Sequence, residues 1–193
     1  MHRFRFLIIL LLGFGVAGAL WMVAPVQSQE QMSAVEKIER GRYLATVVGG
    51  CAHCHSPKVF TEHGPEPDPE RFLAGTPAGT PVPPVPEGVL GPPSWGAMCS
   101  PDMTVWVGPW GVSFASNLTS DEKTGLGAWT DEQFIKAMRT GKHRGFGRQI
   151  LPPMPWADLG RMSDDDLSAM LAFFKSVKAI DNKVPDPLPP AGK

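Results

Sequence analysis

Three cysteines among 193 residues are too few for a four-thiolate zinc site: Cys51 and Cys54 form one pair, and Cys99 has no partner at zinc-site spacing. No strand pattern precedes that pair and no alternation of strands with helices follows it, which removes the βαβ setting of a thioredoxin-like redox pair. Charge of neither sign dominates, since the formal net charge is −1, so nothing in the balance points to nucleic acid as a partner. Between Pro57 and about Ser100 the chain lacks any run able to hold a helix or a central strand, because prolines interrupt it throughout. The length suits one domain with a real core, or one small domain carrying a large decoration.

What is present begins with Cys51-Ala52-His53-Cys54-His55. Two cysteines two apart, with histidine directly after the second, form the attachment signal for a c-type haem. The thiols of Cys51 and Cys54 are suited to add to the two haem vinyl groups, and His55 on the same turn is placed to offer an imidazole nitrogen to one axial face of the iron. The expected cofactor is a single covalent haem c, because the motif occurs once. His53 reads as a spacer. The other axial face needs a ligand from elsewhere, and the candidates are His63, His143 and the methionines.

The first residues are basic (Arg3, Arg5), and the chain then runs apolar from Phe6 to Ala24 before turning polar at Gln27. This reads as an export segment, residues 1–28 being either a cleaved signal peptide or a membrane anchor through residues 6–24. Both place the remainder on the periplasmic side. Residues 29–180 are expected to form one mono-haem domain with an insertion at about 57–112, followed by a proline-rich tail at 181–193.

Ser33 with Glu36 has the form of a capping box, and Val35, Ile38, Arg42 and Ala45 follow at helical spacing, predicting a first helix over about 33–48 that Gly49-Gly50 ends. Thr130 with Gln133, flanked by Trp129 and Phe134 as a hydrophobic staple, predicts a second helix over about 131–139. Ser163 and the acids Asp164–Asp166 start a third, whose stripe Leu167, Met170, Leu171, Phe174 and Val177 is expected to pack on the first. The insertion reads as an extended loop wrapped over the surface, and Thr104–Ser116 as a short β-hairpin turning at Gly108–Gly111.

Met154 stands apart from the other methionines. It lies in Leu151-Pro152-Pro153-Met154-Pro155-Trp156, where three prolines stiffen an irregular loop that presents one soft sulfur. Together with CAHCH, Ser116-Asn117-Leu118-Thr119, Thr124-Gly125-Leu126-Gly127, Trp129-Thr130 and Gly147-Arg148, this loop resembles the class I c-type cytochrome domains found as cytochrome subunits of bacterial periplasmic dehydrogenases. The resemblance covers about 33–57 and 112–177. It implies an all-α cytochrome c fold, three main helices around one haem, with Met154 as the distal ligand. Many such subunits carry several CxxCH motifs, whereas this chain has one, and its middle insertion is long.

His55/Met154 ligation implies low-spin iron with no vacant site, and a thioether raises the potential relative to bis-histidine ligation. The expected function is therefore electron carriage, not catalysis, with redox proteins as partners: a dehydrogenase, an oxidase or another respiratory complex. The alternatives are a catalytic or gas-sensing haem with a releasable sixth ligand, and a structural cytochrome subunit of a respiratory complex. Asn117, Arg148 and Trp156 lie in loops bracketing the expected haem and have groups that can bond its propionates; a turn Asn, a surface Arg and a core Trp are the plain structural alternatives. Cys99 is an odd cysteine, expected to be buried or to pair with another chain.

Overall fold

The computed structural model describes residues 32–91 and 93–190, so the segment read as signal or anchor lies outside the described residues. Ser33 and Glu36 close the expected reciprocal cap, with the Glu36 amide donating to Ser33 Oγ at 3.3 Å and the Ser33 amide to Glu36 Oε2 at 2.9 Å. Helix α1 (Ala34–Tyr43) continues without interruption into a π-helical turn over Leu44–Val48, where the Gly49 amide reaches back to the Leu44 carbonyl at 2.7 Å. The buried face differs from the expected stripe. Of that stripe Ala45 is buried and Ile38 packs against the core, but Val35 and Arg42 are exposed, and Gly41 and Leu44 are buried in their place. Gly50, in the left-handed region at φ 57°, then redirects the chain into the single turn α2 (Cys51–His55).

The all-α expectation is corrected: the described residues also contain two small antiparallel sheets. The first is a hairpin of β1 (Lys58–Thr61) and β2 (Gly64–Pro67). Pro65 and Pro67 are tolerated there because β2 has β1 as its only neighbour, so a missing amide on its other edge breaks no ladder. The second orders β3 (Met98–Cys99), β4 (Val105–Gly108) and β5 (Gly111–Phe114). Its β4–β5 arm is the expected hairpin, paired Val105 with Phe114 through Gly108 with Gly111.

The insertion is not wholly a surface wrap. Residues 81–88 are exposed, but Leu73, Ala74, Gly75 and Thr76 are buried, and Leu73 joins the main hydrophobic core. Hydrogen bonds place this segment between the end of α2 and the strand exit: the Gly75 amide donates to the His55 carbonyl at 2.8 Å, the Thr76 amide to Ala115 at 2.9 Å, and the Leu118 amide to Leu73 at 2.8 Å. Gly75, at φ 75°, is required here, since a Cβ would sit 2.5 Å from the Ala115 carbonyl oxygen.

Helix α3 (Asp131–Thr140) carries the Thr130/Gln133 capping box and ends at left-handed Gly141; Trp129 and Phe134 are both buried. A short helix, α4 (Trp156–Leu159), follows the Met154 loop. Helix α5 (Asp164–Ser176), capped by Ser163, buries more than one stripe: Ala169 and Phe173 are as enclosed as Leu167, Met170, Leu171 and Phe174. It packs on α1 as expected, with the Arg40–Asp166 ion pair at 2.9 Å beside the contact. Beyond α5 the tail is stitched down. Asn182 donates to the carbonyls of Ala74 at 2.7 Å and Thr76 at 2.9 Å, and Leu188 bridges Val112. Among the described residues no helix is long and apolar enough to cross a membrane.

The α1–α5 crossing rests on Gly41, whose added Cβ would lie 1.8 Å from the Ala169 carbonyl oxygen. Backbone cannot yield as a side chain does. Gly41→Ala is expected to destabilise the fold by roughly 3 kcal/mol despite the better helix propensity of alanine, read as a lowered midpoint in denaturant with unchanged slope.

Candidate functional site

Helix α2 sets the site. At i and i+3 of one turn, Cys51 and Cys54 share a helix face, and both are free thiols. Burial pushes the Cys51 thiol up to about 11 and raises that of Cys54, the latter countered in part by the charge of Lys58, so both are neutral thiols near pH 7. His53, between them, is exposed. Among the described residues no cluster of three or more His, Cys, Asp or Glu side chains gathers at a metal-ion spacing.

His55 ends the turn, and its Nδ1 lies 2.7 Å from the Ser116 carbonyl oxygen. A carbonyl only accepts, so Nδ1 carries the proton and Nε2 keeps its lone pair. Desolvation lowers the His55 pKa most; the Ser116 bond opposes this and the Lys58 charge adds to it, so the ring is neutral at physiological pH. The His55 main-chain carbonyl is held by Gly75 and the hydroxyl of fully buried Ser56 accepts from the Leu73 amide at 2.9 Å. Ring and backbone are thus oriented by two different parts of the chain.

Met154 is half-buried on a loop whose Pro152 carbonyl accepts from Ser113 Oγ of β5 at 2.6 Å. Its side chain packs against the core cluster that contains Cys51, as do Ala52, Phe72, Leu118 and Trp156. The cysteine turn and the methionine loop therefore border one apolar body. The donor set passes the test for a c-type haem: two neutral thiols at i,i+3, an imidazole with Nε2 left unprotonated by a backbone acceptor, and a thioether beside the same apolar surface.

The other sequence candidates fall in different places. His63 is exposed and faces Glu62 at 3.6 Å. His143 sets its ring edge-on to Trp129, 4.9 Å between centroids, and its pKa is lowered by desolvation, Arg148 and Arg144 in that order. Asn117 is buried with all four hydrogen-bonding positions taken: Nδ2 donates to Thr124 Oγ1 and the Ile180 carbonyl, and Oδ1 accepts from the Thr119 amide and hydroxyl. Its work is to hold the 117–124 loop to the tail. Arg148 is exposed, and the Trp156 ring covers Gly141. Cys99 is exposed on β3 and unpaired, not buried.

Sequence reasoning missed Ser116, whose contribution is a backbone carbonyl with no residue-type signature, and Lys58. The Lys58 ammonium donates to the carbonyls of His53 at 2.7 Å, Asp102 at 3.2 Å and Ala52 at 3.5 Å, and to that of Ser56.

No family model matches the chain. Similar proteins include the cytochrome c subunit of the quinone alcohol dehydrogenase of Gluconobacter oxydans (strain 621H), 43% identical over 81 residues, which are 40% of this chain and 17% of the relative. The gluconate 2-dehydrogenase cytochrome c subunit of Pantoea cypripedii is 29% identical over 137 residues, 71% of this chain and 22% of the relative. The fructose dehydrogenase cytochrome subunit of Gluconobacter japonicus is 28% identical over 171 residues, 88% of this chain and 27% of the relative. The chain thus spans between 17% and 27% of the length of these relatives. By its site residues and its similarities alike, this protein resembles the cytochrome c subunits of bacterial dehydrogenases.

Proposed function

We propose that this protein is a single-electron carrier of the cytochrome c type, serving as the redox subunit or partner of a dehydrogenase on the periplasmic side. In this reading Cys51 and Cys54 would hold one haem c through thioethers, and His55 and Met154 would be the residues that bind its iron. The observation that carries it is the α2 turn, where both thiols and an imidazole of defined tautomer stand together, the Nδ1–H spent on Ser116 at 2.7 Å. Similarity to cytochrome c subunits supports the same assignment, and the apolar run at 6–24 behind two arginines supports export.

Haem iron supplies reversible one-electron chemistry. The chain's own residues supply the rest. Ser116 holds the His55 ring so that Nε2 stays a ligand and not a proton carrier. Ser113 anchors the loop of Met154 through the Pro152 carbonyl, which keeps the thioether in place, and a thioether ligand would favour ferrous iron. The apolar cluster that includes Leu73, Leu126 and Phe174 would give the group a water-poor surface to lie against. With Asn117 committed to its loop, Arg148 and Trp156 are the proposed donors to the propionates.

Met154→Ala is expected to leave the haem covalently attached while abolishing the weak red charge-transfer band of ferric Met–iron ligation and lowering the potential; an unchanged spectrum would turn attention to His143. In the exported wild type, a thiol reagent applied after denaturation should label Cys99 and spare Cys51 and Cys54, as peptide mass spectrometry will report, because thioether sulfurs do not alkylate. The reduced wild type should bind carbon monoxide slowly, and rapid binding would favour a catalytic or gas-sensing haem.

From Lys136 to Arg148 the chain carries five basic residues and no acid. Arg139 is paired with Asp164, Arg144 lies over Trp129 at 5.5 Å and Arg148 is the proposed propionate donor, which leaves exposed Lys136 and Lys142 to meet an acidic partner. Lys136→Glu with Lys142→Glu should slow electron transfer with the native partner severalfold at low salt and flatten its salt dependence, leaving the haem spectrum alone. Equal rates across a salt series would place docking on another face.

A further inference from the structure

The cation at the end of the CAHCH turn has no carboxylate within ion-pair distance among the described residues. Lys58 lies on β1, the first residue of the insertion's hairpin, yet its side chain turns back onto α2. Its ammonium takes the carbonyls of Ala52 and His53, the two residues between the attachment cysteines, and of Ser56 directly after His55. The fourth acceptor, the Asp102 carbonyl, belongs to the loop between β3 and β4. The Asp102 carboxylate is turned to other work, accepting from the Ser100 hydroxyl and from the Thr104 amide and hydroxyl, and among the described residues no ion pair includes Lys58.

A lysine held in this way does two separable things. Its donors satisfy carbonyls at the C-terminal end of a five-residue helix, which has few internal partners for them. Its charge, met at close range by carbonyl dipoles and only from farther off by the Asp102 carboxylate, stays a positive charge beside the attachment turn and half out of water. We propose that Lys58 is a positioning residue that also sets the reduction potential of the proposed haem: it clamps the CAHCH turn to the insertion, and its fixed positive charge favours the ferrous state. The sign follows from the charge change, since oxidation adds one positive charge to the iron and a neighbouring cation opposes that addition. The inference rests on the cytochrome reading, and it gives the insertion a task toward the site that the mere presence of a long loop does not.

The test uses the exported full-length protein with its haem, comparing the wild type with Lys58→Arg, Lys58→Gln and Lys58→Met. Midpoint potentials from spectroelectrochemical titration report the charge, and denaturation midpoints report the clamp. Lys58→Gln and Lys58→Met should each shift the one-electron equilibrium toward ferric by about tenfold, near 59 mV, while Lys58→Arg stays within about twofold of the wild type. Stability should fall most in Lys58→Met, which has no donor, and less in Lys58→Gln. The assignment is overturned if Lys58→Gln keeps the wild-type potential, or if Lys58→Arg shifts as far as Lys58→Gln, which would leave a purely structural role. A wild type whose haem is lost on denaturation would instead overturn the covalent cytochrome reading itself, and the two failures are told apart before any variant is made.

Discussion

Backbone meets backbone where α1 crosses α5, at Gly41 against the Ala169 carbonyl. The rest of the structure depends on that contact. It lets the helices approach closely enough for Leu44 and Ala45 to enter the core alongside Leu167, Met170 and Phe174. The π-helical turn starts at Leu44, in the turn immediately after the crossing, so the direction in which the chain enters Gly50 and α2 is set by how α1 lies on α5. Moving the crossing by the width of a methyl group would move the cysteine turn with it, because close-packed interiors transmit displacement instead of absorbing it.

A second dependence runs through the insertion. An extended, proline-rich segment gains little from local structure, and the part at 81–88 gains little from burial. The stretch 72–76 behaves differently, since it supplies Leu73 to the core and hydrogen bonds to both His55 and Ala115. Asn182 of the tail closes over its carbonyls, and Asn117 ties the same tail to the 117–124 loop. The cysteine turn is thus braced by three stretches distant in sequence: the insertion, the strand exit at Ser116, and the tail. A site assembled in this way can be tuned from outside its own motif, and Lys58 is placed where such tuning would act.

The geometry also fixes the chemical state of the motif's side chains. Histidine alone is ambiguous, because either ring nitrogen can hold the proton. The Ser116 carbonyl removes the ambiguity. Burial acts likewise on the thiols, keeping both neutral near pH 7 and Cys51 the more strongly.

Local chemistry was legible from the sequence alone: the capping boxes at Ser33 and Thr130, the stop at Gly49-Gly50, the hairpin at Thr104–Ser116 and the CAHCH turn all depend on residues within a few positions of one another. The tertiary structure decided what depends on distant partners. A helix-interior glycine signals only a propensity cost until Ala169 is seen against it, so Gly41 was passed over and the stripe of α1 took in exposed Val35 and Arg42 beside Ile38 and Ala45. The β1–β2 hairpin escaped notice because prolines argue against strands except on an edge, and edge status is a property of the finished sheet. The partners of His55 and Lys58 are main-chain carbonyls, which every residue possesses; only the folded chain determines which of them arrive at the site.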